Sequence, residues 1–215
     1  MHLNPGLGGM GRYQLLELLQ STGEHRLELL EDRWTGQVVV RKSAELSSSI
    51  REAKALLALP DGIAPKLVEL QWTKPNLTLV LEHLEGRPLQ EVGSSLPLSE
   101  IPKLVLAICS KLAHVHRAGW IHADLKPEHI LIARQNGTFD VRLLDFGFAL
   151  DLFGDVSEQT VGGTPRYLAP ELRKGWLFDG RADNGFQSFV QRIRNLPLRG
   201  VIPIQVADFH QVGAV

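Results

Sequence analysis

A single cysteine, Cys109, among 215 residues excludes any disulfide within the chain. It lies in the apolar stretch Leu104 to Leu112, which predicts a buried, inert thiol and fits a reducing compartment. Charge of one sign is lacking too. Lysine plus arginine number 23 against 24 for aspartate plus glutamate, a net charge of -1, so composition carries no footprint for nucleic acid or an anionic membrane. Phosphate would have to be bound locally. No 18-residue apolar run and no basic leader with an apolar core occur, which predicts neither membrane spanning nor export and places the protein in the cytoplasm. Repeats and low-complexity tracts are also missing. What is present is 44% hydrophobic residues, enough to bury the core of one domain or of two small lobes.

The first half of the chain is rich in strands and the second opens on a long helix. Residues 1–11 are glycine-rich and read as a leader. Tyr13 to Leu19 and Arg26 to Leu30 suit strands, and Trp34-Thr35-Gly36-Gln37 suits a hairpin turn. In the run Val38 to Lys42, period-two alternation puts Val38, Val40 and Lys42 on one face and Arg41 on the other. Ser47 to Leu59 has serines at its start and Ile50, Ala53, Leu56 and Leu57 at helical spacing, with Glu52 near the inner edge. Lys66 to Gln71 and Leu77 to Glu82 are further strands, ended by Glu85-Gly86-Arg87-Pro88. Ser99 to Gly119 reads as a helix with Pro102 in its first turn. Around Asn136-Gly137 a hairpin joins Ile130 to Ala133 with Val141 to Leu144.

Three ordered motifs stand out: His122-Ala123-Asp124-Leu125-Lys126-Pro127-Glu128-His129, then Asp145-Phe146-Gly147, then Gly163 to Glu171. Taken singly, Lys42, Glu52 or Asp145 reads more simply as a solvated strand lysine, a helix surface pair or a turn former. Jointly, their order and spacing resemble the catalytic loop, metal-binding triplet and activation-segment end of protein kinases of the serine/threonine kind, over residues 12–183. The resemblance implies an α+β, two-lobed protein-kinase-like fold, with a small antiparallel-sheet lobe at 12–84, an incomplete helical lobe at 85–183 and an atypical tail at 184–215.

It also implies roles. Phosphoryl transfer asks the protein mainly for positioning and charge neutralisation. Lys42, paired to Glu52, would hold the α- and β-phosphates of ATP. Asp145 would ligate Mg²⁺, Asp124 would take or orient the acceptor hydroxyl proton, and Lys126 would touch the transferring phosphate. Thr164 marks the substrate-binding turn of serine/threonine kinases, so a protein with Ser or Thr acceptors is the implied substrate. Glu82, His83 and Leu84 would form the adenine linker, Leu81 would guard the back pocket, and Val40 and Leu131 would sandwich the ring. Leu56, Leu70, His122 and Phe146 match the apolar column of kinases, and His122 is expected to be structural, bonded to backbone near Asp145. His114 and His116 face different ways and predict no metal site. Trp34, Trp72, Trp120 and Trp176 read as packing or surface residues.

Four departures accompany the resemblance. Gly6 to Gly11 spells a glycine fingerprint but precedes the first strand, while Gln20 to His25, in the proper place, has few glycines and should hinder close approach to phosphate. Ala123 replaces the arginine that clamps a phosphorylated activation loop, so Ser157 and Thr160 are not expected to order that loop. His129 stands where the family keeps an asparagine for the second metal, which predicts a site lost or retuned from Mg²⁺ towards Mn²⁺. Only 44 residues of the 215 follow Glu171, fewer than the remaining helices require, and Phe186, Phe189, Val190, Ile193 and Leu196 form one amphipathic stretch. The competing reading is therefore a pseudokinase or kinase remnant that binds nucleotide or protein without turnover. A small-molecule phosphotransferase is disfavoured by the Gly163 to Glu171 segment.

Overall fold

β-Branched and leucine-rich segments between glycine turns build a five-stranded antiparallel sheet: β1 (Tyr13–Thr22), β2 (His25–Asp32), β3 (Gln37–Ser43), β4 (Leu67–Thr73) and β5 (Asn76–Glu82), in the order β1-β2-β3-β5-β4. This computed structural model describes residues 11–154 apart from 24, 74 and 75. Residues 1–10 of the leader, the Gly163–Glu171 segment, Ser157, Thr160, Trp176, Asp183 and the amphipathic stretch Phe186 to Leu196 lie outside the described residues. The described residues form two compact units, one of those up to Leu57 with Pro65–Leu84, the other of Ala58–Ala64 with the described residues from Glu85 onward.

In the sheet unit, β5 lies between β3 and β4 and is buried from Leu77 to Leu81 on both faces. One face carries Leu30, Val39 and Val80, with Tyr13 packed against them. Opposed pairing puts Leu29, Val40 and Leu81 on the other face, and one pleat further on Leu27, Lys42 and Leu79. The turn between β2 and β3 closes through Gly36 N–H to Asp32 O at 2.7 Å, with Gly36 at φ +71°. A left-handed residue is required there, and glycine supplies it without a Cβ clash.

Two expectations differ. The loop between the first strands is almost wholly ladder: β1 runs to Thr22, opposite His25, with Gly23 at φ +57°. Glycine at the turn lets a short hairpin form, so most of Gln20 to His25 pairs as strand. Helix α1 (Leu46–Ala58) buries Ser49, Glu52, Ala53, Ala55 and Leu56, whereas Ile50 and Leu57 are exposed. The buried set 49, 52, 53 and 56 is the helical stripe, and Ile50 and Leu57 fall outside it.

The second unit begins with β6 (Arg87–Pro88) and the short helix α2 (Leu89–Val92), followed by α3 (Ile101–Arg117), whose Ile101, Leu104, Val105, Ile108, Leu112 and Val115 form a buried stripe. Proline in the first turn of α3 removes a donor that the helix would leave unpaired, and Gly119 at φ +82° follows its end. Then come β7 (Trp120–Ile121), β8 (Ile130–Gln135), β9 (Thr138–Leu143) and β10 (Leu150–Asp151). Asn136 at φ +50° and Gly137 at φ +75° make the tight β8–β9 turn. β6 adds to the edge of β8, and β7 pairs with β10. Lys111 Nζ donates to Gly62 O at 2.7 Å and Leu143 N–H to Ile63 O at 2.8 Å, so residues 58–64 belong to this unit. No helix among the described residues is long and apolar enough to cross a membrane.

Candidate active site

The candidate residues fall into two groups, one in each unit. In the sheet unit, Lys42 Nζ lies 2.7 Å from Glu52 Oε2, and the side chains are 14% and 2% exposed. The strand alternation that turns Lys42 from the Leu30–Val39–Val80 face and the helical stripe that holds Glu52 bring the two together. A buried ion pair stabilises a fold weakly at best, because desolvating two charges offsets most of their attraction. Retaining one points to a use beyond stability.

Val40 is half-buried directly opposite the buried Leu81. Glu82 N–H donates to Lys66 O at 2.9 Å, while its carboxylate accepts from Lys66 N–H at 3.1 Å. That commits the Glu82 N–H, leaving its carbonyl and the residues His83 and Leu84, beyond the end of β5, as the linker backbone groups to consider. The same sheet carries charge that sequence reading passed over. Glu28, 2% exposed, takes Arg26 at 2.8 Å and Arg41 at 2.7 Å. Asp32 accepts two bonds from Arg12, whose guanidinium also meets Glu69 and stacks over Tyr13 and Trp34. Glu28 and Arg41 meet through β2–β3 register, whereas the contacts of Arg12, just before β1, depend on the fold and carry no pairing signal in the sequence.

The second group lies on the segment 122–129 and on the residues following β9. His122, fully buried, donates from Nε2 to Leu144 O at 3.0 Å and packs on Phe146 with ring centroids 4.7 Å apart. It has the structural place expected of it. Asp124 is 3% exposed, with Oδ2 at 3.1 Å from Lys126 Nζ. Ala123 and Asp145 both adopt left-handed backbone, φ +61° and +62°, which costs a residue with a Cβ roughly 1–2 kcal/mol. Such strain persists only where surrounding bonds over-determine it. Here they include Asp124 N–H to His122 O at 2.9 Å, Leu144 N–H to His129 O at 2.8 Å, and Gly147 N–H to Asp145 Oδ1 at 3.2 Å. Leu131, buried, pairs with Arg142 and Pro88 across β8.

His129 sits between the two aspartates. Its Nδ1 is 2.9 Å from Asp124 O, and its Nε2 is 3.6 Å from Asp145 Oδ2. Burial pushes its pKa down to about 4 against the opposing pull of the Asp145 carboxylate, so the ring is neutral at pH 7 and these approaches are not ion pairs. Elsewhere, His114 Nδ1 bonds Ser110 O at 2.7 Å within its own helix. Cys109 is half-buried, and burial raises its pKa.

An aspartate beside a lysine, a carboxylate after a strand end and a buried lysine–glutamate pair can orient a hydroxyl, hold a divalent cation and bind phosphate, respectively. Comparison with known proteins points the same way. Residues 34–183 match the family model for the protein kinase domain. Serine/threonine-protein kinase Pkn1 of Myxococcus xanthus is 32% identical over 185 residues, 83% of this chain and 26% of the relative. Serine/threonine-protein kinase pkn2 of the same organism is 31% identical over 220 residues, 97% and 26%. The DNA damage-responsive serine/threonine-protein kinase RqkA of Deinococcus radiodurans is 32% identical over 209 residues, 85% and 29%. This chain thus spans about a quarter of the length of these relatives.

Proposed function

This chain belongs to the protein kinase domain family, and from that premise we propose that it transfers the γ-phosphate of ATP to serine or threonine hydroxyls of a protein substrate. The observation that carries the reading is the buried 2.7 Å pair of Lys42 and Glu52, a cation held ready for phosphate by a carboxylate with almost no exposure. Asp124 orients the acceptor hydroxyl and takes its proton. Lys126, 3.1 Å from Asp124, neutralises charge that builds on the moving phosphoryl group. Val40, Leu81 and Leu131 supply apolar contacts to the adenine, with the backbone of Glu82 and Leu84 for its polar edge.

Bound ATP brings a divalent cation, Mg²⁺ or Mn²⁺, that neutralises phosphate charge. The donor set fits one: Asp145 offers a hard carboxylate oxygen, with the neutral imidazole of His129 beside it at 3.6 Å. Phosphate oxygens and water would complete the coordination of such a cation. Residues 12–183, with a sheet lobe to residue 84, are the proposed catalytic domain.

The test is radiolabelled transfer from ATP to the chain itself and to a generic basic protein, with Asp124→Ala as control. A loss of roughly 10²–10⁴-fold in the control is expected for a positioned proton acceptor. Equal label in both proteins would refute the role given to Asp124, and none in folded wild-type protein would refute transfer and favour a binding module without turnover.

A further inference from the structure

We propose that His129 performs two tasks with one ring, bracing the Asp124 backbone through Nδ1–H while offering the Nε2 lone pair, with Asp145, to a divalent cation, so that this site prefers Mn²⁺ to Mg²⁺. A carbonyl oxygen can only accept a hydrogen bond. At 2.9 Å from Asp124 O, Nδ1 must carry the proton. In a neutral imidazole the other nitrogen is then a bare lone pair. That lone pair looks at Asp145 Oδ2 from 3.6 Å, beyond hydrogen-bond length. Two acceptors facing one another repel unless something positive lies between them. Turning the ring over would put the Cδ2 carbon where Nδ1–H now bonds the Asp124 carbonyl and so forfeit that bond, and the side chain is only 11% exposed.

One nitrogen and one carboxylate oxygen define a mixed donor pair. Mg²⁺ favours all-oxygen surroundings and sheds water reluctantly, whereas imidazole suits first-row transition ions. Of the two cations that bound ATP brings, Mg²⁺ and Mn²⁺, the lone pair therefore favours Mn²⁺, which also accepts carboxylate and phosphate oxygens. The inference rests on the kinase reading only in assuming that bound nucleotide supplies the remaining oxygens.

The experiment is pulsed electron paramagnetic resonance of Mn²⁺ bound to the full chain, labelled uniformly with ¹⁵N, in the presence of an unlabelled non-hydrolysable ATP analogue. Labelling separates a protein nitrogen from those of adenine. A directly coordinated ¹⁵N signal in wild type, lost in His129→Asn, is expected, together with a fall on the order of tenfold in the Mn²⁺-to-Mg²⁺ affinity ratio. Nitrogen shifts of the His129 ring in the metal-free wild type, expected to show protonated Nδ1 and bare Nε2, provide a reading that needs no variant to fold. No ¹⁵N coupling, or a proton on Nε2, overturns the proposal. Transfer and coupling measured side by side in wild type separate the two readings: coupling without transfer refutes only the kinase activity, and transfer without coupling refutes only the metal assignment.

Discussion

Replacing Lys42 with methionine keeps the packed stem but removes the charge that faces Glu52, and its effect can be bounded from the structure. At 2.7 Å and an effective dielectric near 20, the attraction lost is about 6 kcal/mol. The variant does not bear all of it, because an uncompensated buried carboxylate takes up a proton. Neutralising a carboxyl of ordinary pKa about 4.3 at pH 7 takes about 3.7 kcal/mol, which is the ceiling. Lys42→Met should therefore destabilise the sheet unit by about 3 kcal/mol at pH 7, in the range for breaking a buried pair. In the variant the folded carboxyl binds a proton more tightly than the unfolded one, so the deficit is full at high pH and shrinks as pH falls, to about 1 kcal/mol at pH 5. Urea unfolding followed by tryptophan fluorescence measures it, since Trp34 and Trp72 belong to the same unit as the pair. A deficit below 1 kcal/mol at pH 7, or one unchanged at pH 5, would refute the reasoning. Phosphoryl transfer by the same variant should fall on the order of 10²–10³-fold, as for loss of a charge-stabilising donor.

Gly86 stands at φ +143°, and a Cβ there would meet Ile132 O at 2.9 Å; Gly86→Ala should lower the thermal midpoint, with a cost of about 1–3 kcal/mol. Hydrogen bonds from Arg12 hold the Asp32 carboxyl at about 2 against an ordinary 3.8, so its stabilisation is complete above pH 3.8 and is lost as pH falls towards 2. Acid melts should show that loss, and Arg12→Gln should diminish it, the bond from Trp34 N–H remaining. Burial and the bond to Glu69 raise the Tyr13 phenol from 10.0 to about 12, so its contribution is lost between pH 10 and pH 12, which alkaline melts of Tyr13→Phe against wild type would show.

Much of this protein was legible in one dimension because its signals are local. Period-two alternation predicts which way Lys42 points, Asn136-Gly137 predicts a turn that only left-handed residues form, and Pro102 with Gly119 brackets a helix. The ordered motifs around Asp124 and Asp145, with the strand lysine, predict the family because three spaced matches are improbable by chance. Tertiary structure decided what depends on partners distant in sequence. Ile50 and Leu57 fit a helical period as well as Leu56 does, yet they lie exposed because the buried stripe of α1 is centred on Glu52. Folding alone brings Arg12, just before β1, to Asp32 and Glu69, and the β2–β3 register sets Glu28 opposite Arg41. The proton position on His129 follows from a carbonyl five residues earlier in the chain. Periodicity acts through neighbours along the chain, whereas pairing of charges and the tautomer of a ring depend on which atoms folding brings within hydrogen-bond reach.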